Sequence, residues 1–156
     1  MKTILLAVGR TVEPYYIAAI KEYVERTKHY IPFDVEIIPE LKNTKNLTAE
    51  QQKEKEADLI LKALQPGDTV VLLDEHGKEF RSIEFADYLQ KRMSSGRDVV
   101  FVVGGPYGFA DTVYQRANGK ISLSKMTFSH QMVRLFFVEQ SYRAMTILRG
   151  EPYHHE

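Results

Sequence analysis

Five short runs rich in Val, Ile and Leu, at residues 3–8, 34–38, 69–73, 99–103 and 121–123, punctuate the chain with little polar alternation. Strands covered on both faces have this pattern, so the runs predict a parallel sheet buried between helices. Helical periodicity fills the gaps. Pro14 suits a first helical position, and Tyr16, Ile17, Ile20, Tyr23 and Val24 then repeat with helical spacing to about His29. Thr48 with Gln51 makes a capping-box pattern. After it, Ala57, Ile60, Leu61 and Leu64 share a face, residues 51–56 read as solvated, and Pro66-Gly67 stops the helix. A third helix starts at Ser82, presents Phe85, Ala86, Leu89 and Met93, and ends at Ser95-Gly96. A short fourth spans 111–118 and is closed by Gly119. The fifth runs from Gln131 to Arg149 with Val133, Phe136, Phe137, Gln140, Ala144, Ile147 and Leu148 in register, and Gly150 caps it. Five βα units predict an α/β layered fold with right-handed crossovers, residues 1–156 forming a single domain.

Composition narrows the chemistry. A chain of 156 residues with 44% apolar content matches one ordinary domain with a real core. It has no cysteine, which excludes disulfides, thiolate metal sites and cysteine nucleophiles. The apolar run near the N-terminus is too brief for a secretory signal, and no stretch approaches membrane-spanning length, so the expected compartment is the cytoplasm with no membrane partner. Twenty-one basic and twenty-one acidic residues leave no net field to draw the protein onto arbitrary nucleic acid.

In an open parallel sheet, ligands sit beyond the carboxyl ends of the strands. Three segments there stand out: Asp74-Glu75-His76-Gly77-Lys78, Gly104-Gly105-Pro106-Tyr107-Gly108 and Ser124-Lys125-Met126-Thr127-Phe128-Ser129-His130. The glycine-rich one allows backbone N–H and C=O groups to approach a flat ring or a phosphate, although a plain βα turn would need the same glycines. Phosphate-loop and dinucleotide motifs fail, since Gly77-Lys78 and Gly119-Lys120 lack the remaining motif positions and Gly104-Gly105 does not fit GxGxxG. Basic and imidazole groups gather late in the chain, in Lys125, His130, Arg134, Arg143, Arg149 and the tail from Pro152 to His155 and Glu156. Arg134 and Arg143 read as a solvated helix face. The histidines lack ligand spacing, so no metal site is expected.

Taken together, TILLAVGR at 3–10, LLDEHGKEF at 72–80, GRDVVFVVGGPYGF at 96–109 and SLSKMTFSHQMVRLFFVEQSYRAMTILRGEPYH at 122–154 resemble the RlmH family, the large-subunit ribosomal RNA methyltransferase H group of the SPOUT superfamily. The likeness runs the whole chain in order and spacing. It implies a SPOUT-type α/β domain with a C-terminal trefoil knot, which general topology rules would have excluded. It also implies a homodimer and S-adenosylmethionine (SAM) as cofactor, held by Leu73, Gly104, Leu123, Ser124, Lys125, Met126, Thr127 and Phe128. The implied substrate is N3 of a pseudouridine in helix 69 of 23S ribosomal RNA (23S rRNA), within the assembled 70S ribosome.

N3 of that base carries an imide proton, so transfer needs the proton removed and the nitrogen aligned with the methyl donor. The resemblance offers His130, Arg143, Tyr153 and His154 as candidates, with His154 or Tyr153 aiding deprotonation and Arg143 stabilising charge on the base or orienting a phosphate. The tail of one subunit would complete the site of the other. Ser129 replaces a proline common in the family, and His155 a common arginine or lysine, which removes a permanent charge near the expected RNA path. Three other readings stand beside this one: a SPOUT enzyme acting on transfer RNA or a ribose hydroxyl, an inactive ribosome-associated binder, and a flavodoxin-like nucleotide module.

Overall fold

The computed structural model describes residues 1–155, so Glu156, the last of the tail residues named above, lies outside the described residues. Strands and helices alternate as β1 (Thr3–Val8), α1 (Pro14–Lys28), β2 (Phe33–Ile38), α2 (Ala49–Ala63), β3 (Thr69–Glu79), α3 (Ser82–Met93), β4 (Val99–Val103), α4 (Asp111–Arg116), β5 (Gly119–Ser122) and α5 (Met132–Leu148). Every strand pairing is parallel, in the order β2-β1-β4-β3-β5. Successive strand residues point to opposite faces. Leu5, Ala7, Val71, Phe101 and Val103 therefore pack with residues of α1, α3 and α5, whereas Ile4, Leu6, Val70, Leu72, Val100 and Val102 pack with residues of α2 and α4. Connections that step toward the β2 edge use the first face and those that step toward β5 use the second, as right-handed crossovers require. Because α3 and α4 leave adjacent strands β3 and β4 for opposite faces, a crevice opens beyond those strand ends.

The Thr48 cap forms as expected, accepting from the Gln51 N–H at 3.1 Å while the Gln51 side chain accepts from the Thr48 N–H at 3.0 Å. Three expectations need correction. The third strand does not end at Leu73: both Leu73 and Lys78 pair with Ile121, so residues 74–77 loop out and β3 resumes to Glu79. Gly77 permits this, because a Cβ there would lie 2.5 Å from the Ile121 carbonyl carbon. Gly119 opens β5 rather than closing α4. The preceding Asn118 accepts from the Val70 N–H through its side chain at 2.8 Å and donates its own N–H to the Val70 carbonyl at 2.7 Å, which removes it from the helix. Residues 51–56 are not all solvated, since Glu56 is buried.

Candidate active site

Beyond the ends of β3 and β4 and under the 123–130 loop lies a cavity of about 680 Å³, within the range of small-molecule sites. Leu73, Gly104, Leu123, Ser124, Met126, Thr127 and Phe128 all line it, so three segments distant in sequence converge there. Lys125 does not; its side chain is exposed and its ammonium stands 4.0 Å from Glu79. Serines fix the long loop without regular structure. Ser122 donates to the Ser124 carbonyl at 2.7 Å, Ser124 accepts from the Met126 N–H at 3.0 Å, and Ser129 accepts from the Gln131 N–H at 3.1 Å. At Ser129 this hydrogen bond holds the turn that leads into α5. The glycine turn forms another wall, and at Gly105 a Cβ would sit 2.5 Å from Oε1 of Glu56, the buried carboxylate behind it, which would have to shift.

The rim is polar. Asp74 accepts from the Tyr114 hydroxyl and from the His76 N–H, the latter at 2.8 Å. Burial opposes its charge, but the Tyr114 hydroxyl, the His76 N–H and nearby cations hold its carboxyl below the usual range. Burial and Asp74 push the Tyr114 phenol well up. His130 also lines the cavity, where burial and then the Arg134 charge lower its pKa against a smaller opposing pull from Glu40.

Arg134 overturns the solvated-face reading. It is fully buried and donates to the carbonyls of His130 (3.0 Å), Gly9 (2.6 Å) and Val8 (2.9 Å) and to the Thr11 hydroxyl (3.2 Å). The end of β1 is thereby tied to the loop that enters α5.

The remaining candidates form a separate cluster. Oε1 of Glu139 accepts from Arg143 Nη2 at 2.5 Å, Arg143 Nε at 3.2 Å and the Tyr153 hydroxyl at 2.9 Å. Arg143 Nη1 lies 3.1 Å from His154 Nδ1. Since a guanidinium only donates, Nδ1 accepts and the ring proton resides on Nε2. Glu139 raises the Arg143 pKa, while burial, Tyr23 and Glu139 raise that of Tyr153, making the phenol a donor rather than a base. Within the chain the fold brings Arg143, Tyr153 and His154 together and leaves His130 with the larger cavity. Glu139, the hub of the cluster, was missed, although its i, i+4 spacing to Arg143 was a usable signal.

A second cavity of about 250 Å³ adjoins the first: Ser122, Leu123 and Phe128 line both, and Glu139 and Gln140 line only the smaller. Among the described residues no group of three or more His, Cys, Asp or Glu is arranged to hold a metal ion, and no helix is long and apolar enough to cross a membrane.

A parallel α/β sheet whose post-strand loops converge on one cavity fits the family model described as "Predicted SPOUT methyltransferase", which matches residues 1–154. The chain belongs to the SPOUT methyltransferase family, and membership implies the C-terminal trefoil knot. Among its relatives, the proteins named ribosomal RNA large subunit methyltransferase H of Bacteroides thetaiotaomicron and Phocaeicola vulgatus are each 70% identical over 157 aligned positions, covering 100% of both chains. The protein of that name in Parabacteroides distasonis is 63% identical over the same span.

Proposed function

We propose that the chain methylates N3 of a pseudouridine in helix 69 of 23S rRNA, on the assembled 70S ribosome in the cytoplasm, as a homodimer using SAM. The observation that carries this reading is the convergence of seven expected cofactor residues on one cavity, together with the name shared by full-length relatives. The cavity suits the group. Leu73, Met126 and Phe128 supply apolar surface for an adenine ring, and the Gly104-Gly105 turn and the serine-held loop supply backbone edges for its nitrogens. When bound, SAM supplies an electrophilic methyl group.

The protein's task is to hold the imide nitrogen in line and to manage its proton. His154 is assigned the proton, which its Nδ1 can take once Arg143 turns from it to the negative charge left on the base, with Tyr153 as a hydroxyl donor. These side chains face Glu139 in their own subunit, so the reading has the tail of one subunit complete the cofactor cavity of the other. Neutral overall charge and a small chain suit a protein that reads a composite ribosomal surface rather than free RNA.

The test is transfer of a labelled methyl group to intact 70S ribosomes lacking the modification, with free 23S rRNA and separated subunits alongside and nucleoside mass spectrometry of the product. N3-methylpseudouridine on whole ribosomes alone is the expected result. Equal labelling of free RNA would keep the enzyme and discard the composite surface, and no transfer despite cofactor binding would favour the inactive binder. Undiminished turnover by His154→Ala would remove that residue from its role.

A further inference from the structure

The smaller cavity shares Leu123 and Phe128 with the expected cofactor residues, and its other lining residues, which the cofactor reading does not use, are built like a site. Phe80, Phe85, Phe128 and Phe136 line it, so a flat ring entering it meets aromatic side chains. Phe128 and Phe136 stand with their ring centroids 5.0 Å apart, and Phe136 is partly exposed. Among its polar groups, Glu139 Oε1 accepts from Arg143 and Tyr153, whereas Oε2 accepts from the Gln140 side-chain N–H at 3.1 Å. A carboxylate oxygen has capacity for a second donor, and the Gln140 amide has a second hydrogen to give. The cavity thus presents an acceptor beside a donor at the end of an aromatic slot.

From this geometry we infer that the smaller cavity is the binding site for the target pyrimidine, its ring held among the phenylalanines and its imide edge read by Glu139 and Gln140. The inference rests on the methyltransferase reading and adds the location and chemical class of the acceptor. An imide edge offers an N–H flanked by carbonyls, which matches a carboxylate oxygen beside an amide N–H. Cytosine has no hydrogen at that nitrogen and would set a lone pair against the carboxylate, so the site selects uracil-type bases. Position supports the same occupant. Because Ser122, Leu123 and Phe128 belong to both walls, a base in the small cavity lies next to the contents of the large one.

The experiment combines ribosome methylation kinetics with direct titration of S-adenosylhomocysteine, for the native protein and for Phe136→Leu, Phe136→Tyr and Glu139→Gln. Loss of one base–aromatic stacking contact is expected to lower kcat/KM for ribosomes about tenfold in Phe136→Leu, and Phe136→Tyr, which keeps the ring, restores most of it. Glu139→Gln is expected to lose at least about tenfold, since the imide N–H then meets an amide. Affinity for S-adenosylhomocysteine stays within about twofold in all three, which also reports that they fold. Unchanged kinetics in Phe136→Leu and Glu139→Gln would overturn the inference. A parallel fall in S-adenosylhomocysteine affinity would do the same by assigning the cavity to the cofactor, and so would a changed oligomer mass in Phe136→Leu by assigning it to a second copy of the chain. A native protein that binds S-adenosylhomocysteine and methylates no ribosome would overturn the proposed function and this site with it, a result distinct from active variants.

Discussion

Arg134→Met removes a buried guanidinium while keeping an unbranched side chain of similar reach. The native group satisfies the carbonyls of Val8, Gly9 and His130 and the Thr11 hydroxyl, at distances from 2.6 to 3.2 Å. Without it, two carbonyls at the end of β1 and one at the entrance to α5 lose a charged donor, and each buried acceptor left unmatched costs about 1–3 kcal/mol. Relief from burying a cation offsets part of this, because Glu40 acts on Arg134 only through its charge. The net loss is set at about 3 kcal/mol, equivalent to a Tm fall of roughly 6–12 °C in a chain of this size. Urea denaturation at fixed protein concentration measures it, with Arg134→Lys expected to fall between the two because an ammonium reaches fewer of the four acceptors. A loss below about 1 kcal/mol in the methionine variant would refute the claim that Arg134 anchors the two segments.

The same pair of segments carries a titration. His130 is expected to titrate below the ordinary imidazole value of 6.5 and to move upward in Arg134→Met, which NMR of its ring protons follows. With its folded pKa depressed, its contribution to stability is complete above the unfolded value and is lost as pH falls through 6.5 toward the folded one. Gly77→Ala is expected to cost roughly 3 kcal/mol in a melt, since the new methyl meets Ile121 backbone that cannot rotate away. Glu56→Gln should stabilise at pH 7 by about 1 kcal/mol, because burial raises the Glu56 pKa and Oε1 has no donor among the described residues. That gain should vanish at acid pH: native stability falls as pH rises from the unfolded carboxylate value through the raised folded one, and below both the residue is neutral in either state.

Strand positions were legible because a sheet covered on both faces leaves short apolar runs set between helical patterns, and β1 and β4 fall where the runs place them. Helix starts were legible wherever the signal is local, as at Pro14 and in the Thr48 box. The ends of β3 and α4 were misread for a common reason, that a partner distant in sequence decides each. Residues 74–77 look like a loop, and only Ile121, pairing on both sides of them, shows that β3 continues. Gly119 looks like a helix stop until Asn118 is found bonded to Val70. The strand order itself, with β4 between β1 and β3, leaves no mark in periodicity.

At the site the division is sharper. The expected cofactor residues follow strand ends and carry the motif of the resemblance, and the fold brings seven of them to one cavity. Polar groups held from a distance have no such mark. Arg134 and Arg143 stand on the same helix and read alike in sequence, yet one is sealed among backbone carbonyls and the other pairs with a carboxylate one turn away. Helical periodicity distinguishes faces only when a face is uniformly polar or apolar, and α5 is packed against both α1 and α3, so its buried surface takes Arg134, Ser141 and Thr146 along with Phe137 and Val138. A helix buried on two sides has to satisfy its own polar groups, and Ser141 does so by donating to the Phe137 carbonyl and Thr146 to that of Arg143. Arg134 alone among them reaches out of the helix, to β1 and Thr11, which makes it the residue through which the start of the chain fixes the loop that enters α5.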